Sequence, residues 1–286
     1  MKKRYGLFAA GAAVAGLFAW NCIDTHRLTV SRYEIGSDKL KKDVRAVLVA
    51  DLHDTAFGRD NKRLKELIEA NSPDFILCSG DMVTSEKRPG NRNGQELMEY
   101  LGGRYKVIAA DGNHEIKMAE YPRKFPFFSA KMYRSALKNS GVIFPYDDAE
   151  GVDDTGIYVS SLRMPLKYDR KFNRKRPDPA ELADLCPKPV KGAYNILIAH
   201  DPLFFEEYSA LGFDLVVSGH VHGGLVRLPK LGGVFSPDFS FFPRYDGGMY
   251  YKDGFSMIVS RGLGTHTVPV RIANPADLVV IDFKGA

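Results

Sequence analysis

Five short apolar runs set the frame of this chain: Val44 to Ala50, Phe75 to Cys78, Lys106 to Ala109, Ile196 to Ala199 and Leu215 to Val217. Runs this short and this apolar predict buried strands. Between them the pattern changes to a helical period. Asp60 to Ala70 sets Leu64, Leu67 and Ile68 on one face, and Asn93 to Leu101 and Ser129 to Lys138 also read as helices. Val142 to Phe144 and Ile157 to Ser160 predict further strands, and Leu28 to Ile35 alternates as an edge strand does. Phe255 to Val259 and Leu278 to Phe283 are strand-like with no helical pattern between them, so the chain closes in β structure. The sum is a mixed α/β layered fold with two facing sheets.

Ahead of this frame stand Met1-Lys2-Lys3-Arg4 and an uncharged stretch from Tyr5 to Ile23. Its length is close to the roughly 20 residues that span a bilayer. A signal peptide needs a small-x-small site after the apolar stretch, and Ala13-Val14-Ala15 falls inside it. A lipoprotein would use Cys22, but Trp20 and Asn21 before it are not small. The reading is an uncleaved single-pass anchor at 1–23, a polar connector at 24–43 and one domain at 44–286. Lys2, Lys3 and Arg4 would stay in the cytoplasm and put the domain outside the cell membrane. Arg27, Arg32, Lys39, Lys41 and Lys42 pull the other way.

Composition changes the picture little. A chain of 286 residues with 44% hydrophobic content can bury a large core, and no linker or repeat divides it. A formal net charge of +5 suits a phosphate-bearing ligand or an anionic membrane surface. It falls short of a nucleic-acid binder's balance, so no nucleic-acid partner is expected. Cys22, Cys78 and Cys186 are too few and too far apart for a disulfide framework. Nothing marks an obligate protein partner.

The chemistry lies where the buried runs end. Asp51-Leu52-His53, Gly80-Asp81, Gly112-Asn113-His114-Glu115, His200 and Gly219-His220-Val221-His222 each follow one of them. Ligands at the carboxyl ends of sheet strands converge on one crevice. Oxygen and nitrogen donors without thiolate suit two divalent ions, Mn²⁺ first, with Fe or Zn²⁺ as alternatives, rather than Ca²⁺. In Asp51-x-His53 and His220-x-His222 an extended backbone would turn both side chains to one side. The glycines before Asp81, Asn113 and His220 allow sharp turns and leave room. Two such ions can share a hydroxide that attacks phosphorus in line. Alone, Asp-x-His or Gly-Asp means little; five groups in this order make a dinuclear phosphoesterase site the reading.

The order Asp-x-His, Gly-Asp, Gly-Asn-His-Glu, His, Gly-His-x-His resembles the calcineurin-like metallophosphoesterase superfamily. The stretches Gly219 to Pro229 and Ser260-Arg261-Gly262-Leu263-Gly264 look like a membrane-associated bacterial branch similar to UDP-2,3-diacylglucosamine hydrolases. The resemblance implies a four-layer α/β/β/α sandwich with two central mixed sheets. It implies that Asp51, His53 and His222 hold one ion, that Asn113, His200 and His220 hold the other, and that Asp81 bridges them. His114 would contact the scissile phosphate and protonate the leaving oxygen.

Other residues keep two readings. Asp54, Asp201 and Glu115 are either acceptors behind a ligand imidazole or loop carboxylates, and Asp111 reads as structural. The basic segment Lys167 to Arg176 is either a cap for anionic groups or a solvated loop. Phe235, Phe239, Phe241, Phe242, Tyr245, Tyr250 and Tyr251 either wall a pocket or pack loops. Arg227, Arg244 and Arg261 are candidate phosphate clamps. The function expected is hydrolysis of a phosphodiester or pyrophosphate bond, with a nucleotide–lipid such as UDP-2,3-diacylglucosamine among the substrates. A broad phosphomonoesterase and a non-catalytic metal-binding scaffold are the alternatives.

Overall fold

The computed structural model describes residues 15–87, 90, 92–169, 175–236, 240–265 and 268–285. In chain order its strands are β1 (Leu28–Gly36), β2 (Val44–Val49), β3 (Phe75–Cys78), β4 (Lys106–Ala109), β5 (Val142–Ile143), β6 (Glu150–Val152), β7 (Ile157–Leu162), β8 (Tyr194–Ala199), β9 (Leu215–Ser218), β10 (Val226–Leu228), β11 (Gly232–Phe235), β12 (Gly248–Lys252), β13 (Phe255–Val259) and β14 (Ala276–Lys284). A helix α1 covers residues 15–26. It is followed by α2 (Lys62–Ala70), α3 (Arg92–Gly102), α4 (Asn113–Glu120), α5 (Ala130–Asn139), α6 (Pro179–Asp184) and α7 (Phe205–Tyr208).

The strands form two six-stranded sheets, ordered β1-β14-β2-β3-β4-β5 and β12-β13-β9-β8-β7-β6. Within them β2, β3 and β4 run parallel, as do β7, β8, β9 and β13, while β14 is antiparallel to β2, β12 to β13 and β6 to β7. Both sheets are therefore mixed. Their inner faces meet through Ala46, Leu48, Leu77 and Ile108 on one side and Ile157, Ile196, Ile198 and Val217 on the other, all buried. The outer face of the first sheet packs Val47, Ile76 and Val107 against Leu64, Leu97 and Leu137 of α2, α3 and α5. The outer face of the second packs Leu197 and Val216 against Leu182 of α6 and Tyr208 of α7. Four layers, helix–sheet–sheet–helix, follow from strands that are apolar on both faces. The helices start where the chain supplies caps. Ser129 Oγ accepts the Met132 amide ahead of α5, holding one of the amides that a helix leaves unpaired.

The stretch read as a connector does more than connect. Its residues 28–36 form β1, an edge strand parallel to β14 from Leu28↔Ala276 to Gly36↔Lys284. The anchor expected over Tyr5 to Ile23 lies largely outside the described residues, in 1–14. Among the described residues no helix is long and apolar enough to cross a membrane.

Candidate metal centre

Each predicted ligand sits just beyond a parallel strand, and five of the seven are not on extended backbone. Asp51 (φ 51°), His53 (φ 46°), Asp81 (φ 52°), His220 (φ 71°) and His222 (φ 55°) are all left-handed. This corrects the extended geometry expected for Asp51-x-His53 and His220-x-His222. Non-glycine residues rarely adopt this region, and concentrated strain marks sites where the surroundings over-determine the backbone. Here the surroundings are other ligand loops. The Asp51 amide donates to Gly80 O and the His53 amide to Asp81 O, each at 3.0 Å. The Asp51 carboxylate accepts the His220 amide at 2.9 Å, which ties the loops of the two sheets together.

Glycine supplies the clearance. Gly80 takes φ +97°, and a Cβ there would lie 2.1 Å from the Gly112 nitrogen. At Gly112 a Cβ would meet Asp81 Oδ1 at 2.1 Å, and at Gly219 it would meet Asp51 Oδ2 at 2.3 Å.

Six of the seven predicted ligands fall in clusters with His114, and the seventh, Asn113, lines a cavity with His200 and His220. Asp51, His53 and His222 form one cluster, His53, Asp81 and His114 a second, and Asp81, His200 and His220 a third; the ligand atoms within each lie within 4.8 Å of one another. His53 Nε2 and His222 Nε2 are 3.0 Å apart. That suits neighbouring positions on one ion whose bonds to nitrogen are about 2.0–2.1 Å. His200 Nε2 lies 3.1 Å from Asp81 Oδ2. Asn113 Nδ2 donates to Asp169 at 3.2 Å. Its Oδ1 is buried with no hydrogen-bond partner among the described residues, an acceptor set for a cation. The donor set thus fits two divalent ions.

The backbone behind the ligands sets which ring nitrogen is offered. His200 Nδ1 donates to Ser79 O at 2.8 Å and His222 Nδ1 to Gly264 O at 3.1 Å, which leaves Nε2 of each for the centre. His114 is arranged the other way. Its Nδ1 accepts the Ser85 amide at 2.8 Å, so the neutral ring carries its proton on Nε2, 4.0 Å from Asp81 Oδ2. Burial pushes the His114 ring below its ordinary value, which favours that neutral form.

The charges tell the same story. Burial pushes Asp51 up to about 7. Burial also works against the charge on Asp81, but His200 and His114 beside it hold that carboxyl well below the usual range. Burial opposes a charged His200 ring as well, yet Asp81 and Asp51 raise it to about 10. Without an ion, protons on histidine are what balance these buried carboxylates.

Glu115, Asp54 and Asp201 all accept backbone amides. Glu115 accepts the amides of Asp81 (2.9 Å), Met82 (2.9 Å), Val83 (3.3 Å) and Gly112 (3.0 Å), and so joins the Asp81 loop to the start of α4. Asp54 accepts the Gly94 amide at 3.0 Å. Asp201 accepts the Leu203 amide at 3.0 Å as a cap, and lies 3.8 Å from His220 Nε2. Asp111 pairs with Arg134 and, at 3.7 Å, with Arg163.

The candidate clamps are committed elsewhere. Arg261 pairs with Asp277 at 3.0 Å, Arg227 with Asp246 at 3.0 Å and Arg244 with Glu206 at 3.3 Å. In the basic segment, Lys167 pairs with Glu181 and Arg176 with Glu207; residues 170–174 lie outside the described ones. Of the aromatics, Tyr245 is buried against Phe205 and Tyr250, whereas Phe241, Phe242 and Tyr251 are exposed; Phe239 is outside the described residues.

Sequence reasoning missed the supports that carry no metal-ligand signature. Fully buried Arg271 donates to the carbonyls of Arg261, Gly262 and Gly264, the last being the carbonyl that holds His222. Asn274 Nδ2 holds His222 O at 2.7 Å and Gly224 O at 2.6 Å. The glycines of Ser260 to Gly264 were their only trace in the sequence.

Residues 44–224 match the model of the family described as calcineurin-like phosphoesterase. The chain belongs to this family. The phosphoesterase is a metal-dependent hydrolase of phosphoric esters, as the family and its relatives are named. It is 27% identical to an uncharacterized metallophosphoesterase of Aquifex aeolicus, across 94% of this chain and 97% of that one. It is 22% identical to the metallophosphoesterase YkuE of Bacillus subtilis, across 100% and 96%. It is 25% identical to the phosphodiesterase YaeI of Escherichia coli, across 68% and 64%.

Proposed function

We propose that this phosphoesterase hydrolyses a phosphodiester or pyrophosphate bond with two divalent cations. Asp51, His53 and His222 hold one, Asn113, His200 and His220 hold the other, and Asp81 serves both. The observation that carries this reading is that Asp81 belongs to two of the three ligand clusters. When bound, the cations supply Lewis acidity to the phosphoryl oxygens and acidify the attacking water. Mn²⁺ suits the mixed donors best, with Fe or Zn²⁺ as substitutes.

The chain's own residues do the rest. The left-handed loops aim the donors at one point, and Glu115 fixes the loop that carries Asp81. His114 would donate a hydrogen bond from its Nε2–H to the departing oxygen and stabilise the charge that builds there, the Ser85 amide keeping that proton off Nδ1. The first substrate class to test is a nucleotide joined to a lipid through pyrophosphate, such as UDP-2,3-diacylglucosamine. The name of the relative YaeI supports a diester-type bond over a monoester.

The test offers the Mn²⁺-loaded protein bis-p-nitrophenyl phosphate, p-nitrophenyl phosphate and UDP-2,3-diacylglucosamine. Turnover of the diester or the nucleotide–lipid should exceed that of the monoester, vanish on chelation and return with Mn²⁺. Faster turnover of the monoester would replace this reading with a broad phosphomonoesterase.

A further inference from the structure

Helix α1 is packed the wrong way round for water. Its inward positions are polar: Asn21 and Thr25 are half-buried and Asp24 is buried. Asn21 Nδ2 donates to Pro269 O at 3.1 Å, and Asn21 Oδ1 accepts the Arg271 amide at 2.6 Å. Its outward positions are apolar, with Leu17 50%, Phe18 69%, Trp20 47% and Ile23 61% exposed. A helix on the surface of a soluble domain shows the reverse pattern.

A second exposed apolar group lies across the segment that receives Asn21. Three residues beyond Pro269, Ile272 bridges to Val226 at the start of β10, and its amide donates to Leu225 O at 3.0 Å. The β10–β11 hairpin presents Leu228 and Leu231 to solvent, with Phe241 and Phe242 beside it. Phe242 is held there by its amide bond to Val234 O at 3.0 Å. An open cavity of about 640 Å³ is lined here by Lys230, Arg244 and the Arg227–Asp246 pair among Leu228, Leu231 and Phe242, a surplus of positive charge. Residues 269–273 thus carry α1 on one side and the hairpin on the other.

Exposed aromatic and aliphatic side chains rimming a cationic hollow match the surface of an anionic bilayer, with acyl chains for the former and headgroup phosphates for the latter. We propose that α1, residues 269–273 and the β10–β11 hairpin form one face that lies in the plane of an anionic phospholipid membrane. Lys230 meets headgroup phosphates, as does the outward face of Arg244, whose partner Glu206 is shared with Lys252, and Phe18, Trp20, Leu231 and Phe242 enter the interface. This attachment lies in the membrane plane and is distinct from a helix that spans it. It stands independently of the hydrolytic reading, since soluble-ester turnover serves only as a control.

Trp20 is the chain's single tryptophan, so the full chain reports its own docking. Vesicles of phosphatidylcholine with phosphatidylglycerol should shift Trp20 emission to the blue, and brominated acyl chains should quench it. Pure phosphatidylcholine should bind at least tenfold more weakly. The double variant Leu231→Asp/Phe242→Asp should lose at least tenfold in vesicle affinity while hydrolysing a soluble ester as the parent does. Lys230→Gln should lose about fivefold, near the worth of one surface cation. High salt with alkaline carbonate should release the protein from membranes. Equal binding to both vesicle types, parental affinity of the double variant, or retention in carbonate as a spanning segment overturns the proposal. So does a lipid-free dimer that buries Trp20 and dissociates in the double variant.

Discussion

Glu115→Gln tests how the Asp81 loop is held. The Glu115 carboxylate receives two amides on each oxygen, from Asp81 and Gly112 on one and from Met82 and Val83 on the other. Glutamine has the same shape but turns one of these oxygens into a donor. Whichever way the amide lies, two buried N–H groups lose their acceptor and face a third donor. At about 1–3 kcal/mol for each stranded group, the loss is about 2–6 kcal/mol. Burial and the nearby Asp81 charge pull this carboxyl up to about 8, towards the neutral form. Four amide donors favour the ionised form, and we hold that they win once cations balance Asp81. Chemical unfolding of the Mn²⁺-loaded protein should show the lowered midpoint, and equilibrium dialysis should show weaker retention of the ions. A variant that unfolds and binds metal like the parent would mean that Glu115 carries a proton, and the reasoning fails.

Three further outcomes follow from the same geometry. His114→Ala should keep both ions and slow turnover by roughly 10²–10³-fold, the worth of one hydrogen-bond donor to a developing oxyanion; unchanged turnover removes it from the proposed mechanism. Gly219→Ala puts a methyl 2.3 Å from Asp51 Oδ2 and should cost about 1–3 kcal/mol as overpacking. Metal titration should then show the cluster of Asp51, His53 and His222 emptied first. His200 is raised to about 10, so in chelated protein its protonation stabilises the fold fully below its ordinary value near 6.5, and that contribution is lost as pH rises through about 10. Melting temperatures of the chelated protein should fall across that window, and those of the Mn²⁺-loaded protein should fall less.

The strands were legible because both faces of each sheet are buried. Phe75–Cys78, Lys106–Ala109 and Phe255–Val259 fall on the residues that the apolar runs mark. Helix α4 went unseen although it carries Asn113, His114 and Glu115. Its polar residues belong to the centre and mask the helical period, so only Gly112 before it and Glu115 at its third position hint at a start. The side chains that cluster were legible as residue types at strand ends. Their left-handed backbone was not, because Asp51 and His53 carry no glycine that would signal it. Nor could charge alone show that Arg227, Arg244 and Arg261 already have carboxylate partners, since Asp246, Glu206 and Asp277 are unremarkable in the sequence.

Each set of donors draws on both halves of the sandwich: Asp51 and His53 meet His222, Asp81 meets His200 and His220, and Asn113 lines one cavity with those two histidines. The proposed cations would then act as rivets driven through a seam. A chain cut between β5 and β6 should yield two fragments, neither with a whole binding site, whose rejoining is governed by how much metal is in the tube.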